Sequence, residues 1–356
     1  MIYSEVFTTN LPCKRKYTKP PLIEEIPDYK YYRKDSNGTE IFVNSEGRKV
    51  YIKTDSDKIF PLEVPIQVDF EITQKCNLNC RHCFIKKKDE KFSKVTWKVL
   101  EKIIESGVMM IEISGGEPLL VEDVFEMIDY IHKNNRMVTM STNGTLITPE
   151  IAKKMCNLEK IYISLDGPKK IHDKIRGVGS FDCACNGIKN LNKCGIKPII
   201  STTISKFNLY SLSELAKEIK EKDLKIVGLF LIFLEPSNAD ENFSKQCFAH
   251  SERSKVASII ENMKLDVPKV VMHFKPNAIN ALYYGCFFRL TICQITPSGN
   301  VLSCPIIGDC QGNLLEEDFK TIWKRMYEHL SEIKPKKCNL CQFNLRCFPC
   351  VYDQID

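Results

Sequence analysis

Three cysteines lie close together in the sequence, Cys76, Cys80 and Cys83, at the spacing C-x3-C-x2-C. They follow the run Val68–Ile72, whose alternation of apolar and acidic residues predicts a β-strand. Three thiolates on one loop can bind three corners of a cubane [4Fe–4S] cluster. An electron-transfer cluster takes a fourth cysteine nearby, but the next one here is Cys156. The spacing therefore predicts an iron that is left open to a substrate or cofactor.

Two other interpretations of these cysteines remain open from the residues alone. The first is a zinc site and the second is a set of three unrelated buried thiols. Zinc sites usually pair two C-x2-C units or add histidines at a distance, and this loop has neither pattern. The iron–sulfur interpretation is the one that the later motifs favour.

Polar motifs follow three further strand predictions. They are Gly115-Gly116-Glu117-Pro118, Ser141-Thr142-Asn143-Gly144, and Ser164-Leu165-Asp166-Gly167-Pro168 with His172-Asp173 and Arg176-Gly177 after it. Two adjacent glycines let the backbone approach a ligand closely. Asn-Gly is also an ordinary turn sequence, and Asp166 is equally well interpreted as a turn former. We expect His172 and Asp173 to be structural and to cap helices.

Together these motifs resemble those of the radical S-adenosylmethionine (SAM) enzymes, whose signature is C-x3-C-x2-C with an aromatic-type residue, here His82, before the third cysteine. The resemblance implies that Gly115, Gly116 and Glu117 bind the amino group of the methionine part of SAM. It places Asn143 near the ribose. It also makes Ser164, Asp166 and Arg176 candidate SAM contacts, and an arginine fork suits a carboxylate. No catalytic side chain is identified.

Composition limits the class of protein. The chain has 356 residues, 43% of them hydrophobic, and a formal net charge of +6. Lysine and arginine are spread along predicted helices, so nucleic acid is not an expected partner. The longest apolar run, 226–234, is too short to span a bilayer, and the first ten residues lack the apolar core of an export signal. Seventeen cysteines without such a signal favour metal centres in a reducing compartment, the cytoplasm.

Six alternating strand and helix units are predicted between residues 66 and 235. The strands are 67–73, 109–114, 137–142, 160–165, 198–204 and 225–233. Units of this length imply parallel strands with right-handed crossovers. We therefore expect a partial (β/α)6 TIM-like barrel with its active residues at the carboxyl ends of the strands; a doubly wound open sheet is the alternative. Thr148 with Pro149 predicts one helix start, and a second helix is predicted from Asp182 to Gly195.

The rest of the chain divides into three further regions. Residues 1–65 contain a predicted β-hairpin, with strands at 39–43 and 49–52. This segment is interpreted as a cap on the barrel, with an edge strand for a substrate peptide as the alternative. Residues 236–285 form a connecting helical region. Residues 286–356 are cysteine-rich and carry an amphipathic helix that includes Phe319, Ile322, Trp323, Met326 and Leu330.

The cysteine-rich region resembles the SPASM domain, which binds two auxiliary [4Fe–4S] clusters. By this resemblance Cys286, Cys293, Cys304 and Cys350 hold one cluster. Cys338, Cys341 and Cys347 hold the other, with Cys310 or a non-cysteine group as the fourth ligand. The last pair is spaced x2 rather than the x3 of the family, and no cysteine follows Cys350. A single auxiliary cluster and a zinc ribbon on the last four cysteines are therefore alternatives.

The two resemblances together imply an enzyme that cleaves SAM to a 5′-deoxyadenosyl radical, which takes a hydrogen atom from the substrate. SPASM enzymes mostly modify peptides, so we expect post-translational modification of a ribosomally made peptide or protein by a thioether or carbon–carbon crosslink or a related oxidation. A sulfatase-maturing enzyme, which generates formylglycine, and a haem-pathway decarboxylase are alternatives. A reducing partner such as flavodoxin or ferredoxin is expected. A non-catalytic Fe–S or zinc module is the alternative from another class.

Overall fold

The computed structural model describes residues 2–4, 29–44, 50–53, 62–85, 90–235, 240–271, 284–285, 291–305, 308–332 and 347–348. Within these ranges the chain forms a small N-terminal sheet and a long, mostly parallel sheet that is covered by helices. Across the same ranges, no helix combines the length and the apolar character needed to cross a membrane.

The N-terminal sheet is antiparallel and has the strand order β1-β4-β3-β2. Its strands are β1 (Ile2–Ser4), β2 (Tyr31–Lys34), β3 (Glu40–Val43) and β4 (Val50–Lys53). The predicted hairpin is confirmed as β3 and β4, in which Val43 pairs with Val50. Strands β1 and β2 were not predicted. Arg33 on β2 donates to the carbonyls of Val64 at 3.0 Å and Pro65 at 2.9 Å. These hydrogen bonds attach the N-terminal sheet to the segment just before β5.

Parallel strands alternate with helices through the main sheet. The strands are β5 (Gln67–Glu71), β6 (Met110–Ser114), β7 (Met137–Thr142), β8 (Lys160–Ser164), β9 (Ile199–Ile204), β10 (Gly228–Phe233) and β11 (Lys269–Val271). The helices are α1 (Lys94–Glu105), α2 (Val124–Lys133), α3 (Pro149–Lys154), α4 (Lys169–Arg176), α5 (Ser180–Lys193), α6 (Leu212–Glu221), α7 (Glu241–Ser244) and α8 (His250–Asn262). All six predicted strands form, and the largest difference is at β10, which begins at Gly228 rather than at residue 225.

Strands β5 to β11 lie side by side in the order of the chain and are parallel throughout. A doubly wound sheet needs a reversal of strand order between its two halves, and this run has none. The doubly wound alternative was therefore wrong for this segment. A run of crossovers in a single direction is the topology of a partial (β/α) barrel, as predicted.

The two faces of the barrel strands differ in chemistry. Val68 and Phe70 of β5 are fully buried in the large apolar cluster beneath the helices. The alternate residues of the same strand, Gln67, Asp69 and Glu71, face the other way because successive strand residues point to opposite faces. The inner face of this barrel therefore carries polar groups at its first strand.

Helix ends follow the predicted signals with one exception. The Thr148 hydroxyl accepts the backbone N–H of Ile151 and caps α3, and Gly195, with φ +77°, follows the end of α5. Helix α5 begins at Ser180, so the expectation that Asp182 starts it was wrong. Asp173 supplies the cap instead, because its carboxylate accepts from the backbone N–H groups of Gly179 and Phe181, each at 3.0 Å.

Residues after 290 extend the main sheet on its other side. Strand β12 (Tyr284–Gly285) is followed by β13 (Ile292–Ile295), β14 (Asn300–Leu302), β15 (Cys310–Asn313), helix α9 (Phe319–Glu332) and β16 (Cys347–Phe348). Strand β13 pairs in parallel with β5. Ile322, Trp323 and Met326 of α9 belong to the apolar cluster of the barrel. Strands β13, β14 and β15 therefore share one sheet with the barrel, and helix α9 shares its apolar core. Strands β12 and β16 pair with each other in a separate two-stranded sheet.

Candidate active site

The three cysteines of the C-x3-C-x2-C loop lie directly beyond the carboxyl end of β5. Each of the three residues is partly exposed. The loop closes on itself through the N–H of Cys83, which donates to the carbonyl of Cys80 at 3.2 Å, and through the N–H of Leu78, which lies 3.4 Å from Cys76 Sγ. The carboxyl end of a parallel barrel strand is where barrel enzymes place their active residues.

Glycines after β6 let a second loop pack against the start of the cysteine loop. The N–H of Gly116 donates to Thr73 O at 2.7 Å, and the N–H of Glu117 donates to Lys75 O at 2.8 Å. A Cβ atom on Gly116 would lie 2.1 Å from Lys75 O, and one on Gly115 would lie 2.3 Å from Thr73 O. Gly115 and Gly116 are thus required for the close packing of two backbone segments.

Glu117 is fully buried, and protein donors engage both of its oxygens. Its carboxylate accepts the Thr142 hydroxyl at 2.7 Å, the N–H of Asn143 at 2.8 Å and the N–H of Leu119 at 3.1 Å. Burial raises the pKa of Glu117, although these hydrogen bonds oppose the change. Glu117 thus fixes the loop that follows β7, and its contact with SAM stays a prediction.

Asn143 connects that β7 loop to the cysteine loop. Its side-chain N–H₂ donates to Asn77 Oδ1 at 2.8 Å and lies 3.9 Å from Cys76 Sγ. Its side-chain oxygen accepts from the backbone N–H and the hydroxyl of Thr145 at 2.9 and 2.6 Å. Asn143 therefore contacts the first cysteine, whereas the sequence placed it only near a ribose.

Asp166 forms a buried network after β8. It is fully buried, and its Oδ2 lies 2.5 Å from Arg176 Nε and 3.2 Å from His82 Nε2. Its Oδ1 accepts the N–H of Thr203 at 2.9 Å. Burial alone would raise the pKa of Asp166, but the charges of Arg176 and His82 hold it well below its usual value. These contacts link Asp166 to Arg176 and to the cysteine loop, and its contact with SAM stays a prediction.

Arg176 lies between Asp166 and the cysteine loop. Its Nη1 is 4.0 Å from Cys80 Sγ, and its Nη2 is 3.3 Å from His82 Nε2. Burial raises the pKa of the Cys80 thiol to about 11, while the charge of Arg176 acts in the opposite direction. Ser164, the other expected polar contact, is partly buried at the end of β8 and pairs with Ser201.

His172 is structural, as predicted. It is buried, and its Nδ1 accepts the backbone N–H of Asp166 at 3.1 Å. Burial, followed by the charge of Arg176, lowers the pKa of His172 to about 4. The ring therefore remains neutral near pH 7 and fixes the Asp166 backbone.

Two carboxylates inside the barrel were not identified from the sequence. The Gln67 side-chain N–H₂ donates to Asp69 Oδ1 at 2.9 Å and lies 3.4 Å from Glu112 Oε2, while the Ser141 hydroxyl donates to Glu112 Oε1. Burial, followed by the charge of Glu112, raises the pKa of Asp69. Burial likewise raises the pKa of Glu112. In the sequence, each of these carboxylates is an acidic residue between two apolar residues of a predicted strand, and this pattern could have identified them.

Glu71 is a third acidic residue near this position and lies on the same face of β5 as Asp69. It is 3% exposed, and its Oε2 accepts from the Gln294 side chain at 3.1 Å. Its Oε1 is buried and has no hydrogen-bond partner among the described residues. Burial, followed by the negative charge of Glu90, raises the pKa of Glu71 to about 7. The carboxyl end of β5 thus carries a titratable group five residues before Cys76.

The predicted auxiliary ligands are described only in part. Cys304 is partly exposed, Cys310 is exposed on β15, and Cys293 is fully buried among the apolar residues of β13. Burial, followed by the charge of Asp69, raises the pKa of Cys293. Four further predicted ligands lie outside the described residues, and of Cys347 only the backbone is described; the four are Cys286, Cys338, Cys341 and Cys350.

The donors of the cysteine loop fit a thiolate-bound cluster. Among the described residues, no three Cys, His, Asp or Glu side chains converge on one ion. In a cubane each thiolate binds a different iron, so its sulfurs do not have to converge. The side-chain N–H groups of Asn143 and Arg176 lie within 4.0 Å of two of the sulfurs, and such donors stabilise thiolate charge.

A parallel barrel with this cysteine triad beyond its first strand and a glycine-bearing loop beyond its second defines the radical SAM class. Residues 70–231 match the family model of the Radical SAM superfamily. The chain therefore contains a radical SAM domain over these residues. Enzymes of this superfamily use SAM and a [4Fe–4S] cluster.

Relatives and solved structures extend the similarity over most of the chain. The AdoMet-dependent heme synthase of Methanosarcina barkeri is 29% identical over 323 residues, which are 80% of this chain and 91% of that protein. The mycofactocin maturase of Mycobacterium tuberculosis is 29% identical over 302 residues, 79% of this chain and 75% of that protein. Streptococcus suis SuiB, crystallised with SAM, has the same fold, with a TM-score of 0.67 at 20% identity over 83% of this chain and 75% of SuiB.

Proposed function

We propose that Cys76, Cys80 and Cys83 bind the [4Fe–4S] cluster and that the enzyme modifies a ribosomally made peptide or protein. When bound, the cluster and SAM supply a 5′-deoxyadenosyl radical that abstracts a hydrogen atom from carbon. The observation that carries the proposal is the triad at the carboxyl end of β5, with Asn143 and Arg176 beside two of its sulfurs. The protein positions the reactants and excludes water.

The loops around the triad hold SAM in this proposal. The backbone of Gly115 and Gly116 faces the methionine amino group, while Glu117 fixes the Asn143 loop from below. Ser164 supplies a polar contact at the end of β8. Arg176 and Asp166 act on the cysteine loop through the network that they form with His82.

A peptide substrate is supported by the relatives and by the charge inside the barrel. Two of the similar proteins are named as maturases or biosynthesis proteins of peptide products, mycofactocin and subtilosin. Asp69, Glu71 and Glu112 place three carboxyl groups on the inner face of the barrel. Like charges repel when they are desolvated together. This interior therefore favours an uncharged or cationic substrate group, which many peptides supply.

A haem-pathway decarboxylation is the second candidate. Two AdoMet-dependent heme synthases are 29% identical to this chain over about four-fifths of its length, as similar as the mycofactocin maturase. The substrate would then be a tetrapyrrole that carries carboxylates. The carboxyl groups inside the barrel disfavour such a substrate, so we rank this candidate below the peptide.

The C-terminal cysteines hold one or two auxiliary clusters in this proposal. Cys286, Cys293, Cys304 and Cys350 bind one cluster. Cys338, Cys341 and Cys347 bind the second, with Cys310 as a candidate fourth ligand. Support comes from the parallel pairing of β12 with β16, because β12 ends one residue before Cys286 and β16 ends two residues before Cys350. A cytoplasmic location and a flavodoxin or ferredoxin as electron donor complete the proposal.

Iron content and SAM cleavage test the core of the proposal. Anaerobically reconstituted protein is analysed for iron and sulfide, and release of 5′-deoxyadenosine is measured with dithionite as reductant. About twelve irons per chain indicate three clusters, and about eight indicate one auxiliary cluster. Cys80→Ser removes about four irons and abolishes 5′-deoxyadenosine, whereas Cys156→Ser, at an exposed thiol, changes neither. Zinc in place of iron, or cleavage that survives Cys80→Ser, contradicts the proposal.

Substrate class is tested by direct competition. Synthetic peptides encoded by short genes beside this one, and a carboxylated tetrapyrrole, are each incubated with the enzyme, SAM and dithionite. Mass spectrometry then follows the products. Loss of hydrogens from a peptide supports the first candidate. Loss of carbon dioxide from the tetrapyrrole, with all peptides unchanged, selects the second.

A further inference from the structure

Asp166 is held on every side by the protein. Its Oδ1 accepts the N–H of Thr203, its Oδ2 contacts Arg176 and His82, its N–H donates to His172, and its carbonyl accepts from the Asn208 side chain at 2.7 Å. The residue is fully buried. A carboxylate with this many partners has one position, so it fixes the orientation of the groups that bind it.

The group that Asp166 orients is the guanidinium of Arg176. Nε contacts Asp166 at 2.5 Å, and the opposite side of the guanidinium faces the cysteine loop, with Nη1 4.0 Å from Cys80 Sγ. The Arg176 side chain is 12% exposed. The positive member of the pair therefore lies beside Cys80 Sγ, and the negative member lies at the Nε of the same guanidinium.

We propose that Arg176 and Asp166 set the reduction potential of the [4Fe–4S] cluster at Cys76, Cys80 and Cys83, with opposite signs. This inference rests on the proposed function, because it needs the cluster at those cysteines. Reduction adds one negative charge to the cluster, so a fixed positive charge beside a ligand sulfur favours the reduced state and a negative charge opposes it. The shielded site strengthens both effects because few water molecules screen them.

A second buried pair in the chain shows what a purely structural role looks like. Arg33 contacts Asp35 at 2.8 Å, and the side chains are 10% and 1% exposed. Arg33 also donates to backbone carbonyls before β5, at the opposite end of the barrel strands from the cysteines. The Arg33–Asp35 pair resembles the Arg176–Asp166 pair in burial and chemistry but lies far along the strands from Cys80. Arg33→Gln is therefore the matched control.

The test is a redox titration of the cluster followed by electron paramagnetic resonance. Wild type, Arg176→Gln, Asp166→Asn, Arg176→Lys and Arg33→Gln are reconstituted anaerobically, and each is analysed for iron before titration. The relevant signal is the one that is missing in Cys80→Ser. A wild-type protein without that signal contradicts the proposed function itself, whereas a present but unshifted signal contradicts only this inference.

Opposite shifts are the expected result. At a fixed applied potential, Arg176→Gln lowers the ratio of reduced to oxidised cluster by about tenfold, which is about 59 mV for a one-electron couple. Asp166→Asn raises the ratio, and Arg33→Gln leaves it unchanged. Shifts in the same direction, or none, overturn the inference. Where Asp166→Asn does not retain iron, Arg176→Lys decides, because it keeps the charge and must shift the ratio less than Arg176→Gln.

Discussion

Glu117 and Asn143 belong to loops that follow different strands, and the Glu117 carboxylate accepts the backbone N–H of Asn143 at 2.8 Å. Asn143 in turn donates to Asn77 in the cysteine loop. Three loops, after β5, β6 and β7, are thereby connected through one buried carboxylate. The geometry of the cysteine loop consequently depends on the Glu117 carboxylate, which acts on that loop through Asn143.

Glu117→Gln is expected to destabilise the protein by about 1–3 kcal/mol. The amide places an N–H₂ group against the N–H and hydroxyl donors of Asn143 and Thr142, which leaves buried donors without an acceptor. Urea unfolding followed by circular dichroism measures the change. Glu122→Gln, at an exposed glutamate nearby, should stay within about 0.5 kcal/mol of wild type. If both substitutions changed the free energy of unfolding equally, the buried hydrogen bonds of Glu117 would not be stabilising the protein.

Glu71 gives a prediction for pH. Its folded-state pKa of about 7 lies above the ordinary value of 4.5. The folded state therefore retains a proton that the unfolded state has released. The contribution of Glu71 to the free energy of unfolding is therefore fully present below about pH 4.5. It falls as the pH rises to about 7 and is constant above that pH. The difference between the two pKa values corresponds to about 3 kcal/mol.

The substitution Glu71→Gln removes this loss of stability at high pH, because glutamine does not ionise. We expect the variant to be more stable than wild type at pH 8 and to lose this advantage at pH 4.5, in urea unfolding at the two pH values. Glu214→Gln, at an exposed position on α6, serves as the control and should follow wild type at both. A constant difference between wild type and Glu71→Gln across this range would mean that Glu71 ionises as it does in water.

Gly116→Ala is expected to reduce iron binding at the cysteine loop. A Cβ at this position would lie 2.1 Å from Lys75 O, and this contact is with backbone directly before Cys76. The loop must move, so the three thiols lose their arrangement and about four irons are lost. Gly38→Ala is the control, because a Cβ there has no neighbour within 4 Å, although its φ of +86° makes that substitution mildly unfavourable. Equal iron in Gly116→Ala and wild type would contradict the role assigned to this close packing.

Ile322→Ala tests whether the C-terminal region and the barrel unfold together. Ile322 is fully buried in the apolar cluster that the barrel residues also form. Its truncation should cost about 2–5 kcal/mol and lower the stability of the whole barrel. Leu315→Ala, at a residue that is 41% exposed, should have little effect. Two separate unfolding transitions, with only one shifted by Ile322→Ala, would show instead that residues after 290 form an independent domain.

The barrel strands could be predicted because their signals are local. Alternation at 67–73 and capping residues such as Thr148 are visible in a few consecutive letters. The start of α5 was misplaced because its cap comes from Asp173, a residue outside the helix whose carboxylate reaches back to Gly179 and Phe181. Strand β13 could not be predicted to join β5, since that pairing links residues more than two hundred positions apart.

The candidate site was predictable in its motifs but less so in the roles of single residues. The spacing of Cys76, Cys80 and Cys83 identified the cysteine loop. The sequence assigned Glu117 and Asp166 to the cofactor, which stays a prediction, and it did not reveal the protein donors that their carboxylates also accept. Motif spacing reports which loop a residue belongs to and does not report whether burial directs its side chain to a ligand or to the protein. The paired carboxyl groups of Asp69 and Glu112 depend on strand register, which no single stretch of sequence reveals.

The cysteine loop is fixed by contacts from the ends of three other strands, through Gly116, Asn143 and Arg176. None of these contacts exists until β5, β6, β7 and β8 have come together. During biogenesis the nascent chain therefore presents no organised thiol triad, and delivery of iron and sulfide must await a largely finished apoprotein. Scaffold proteins that transfer clusters would therefore bind an apoprotein that is already folded.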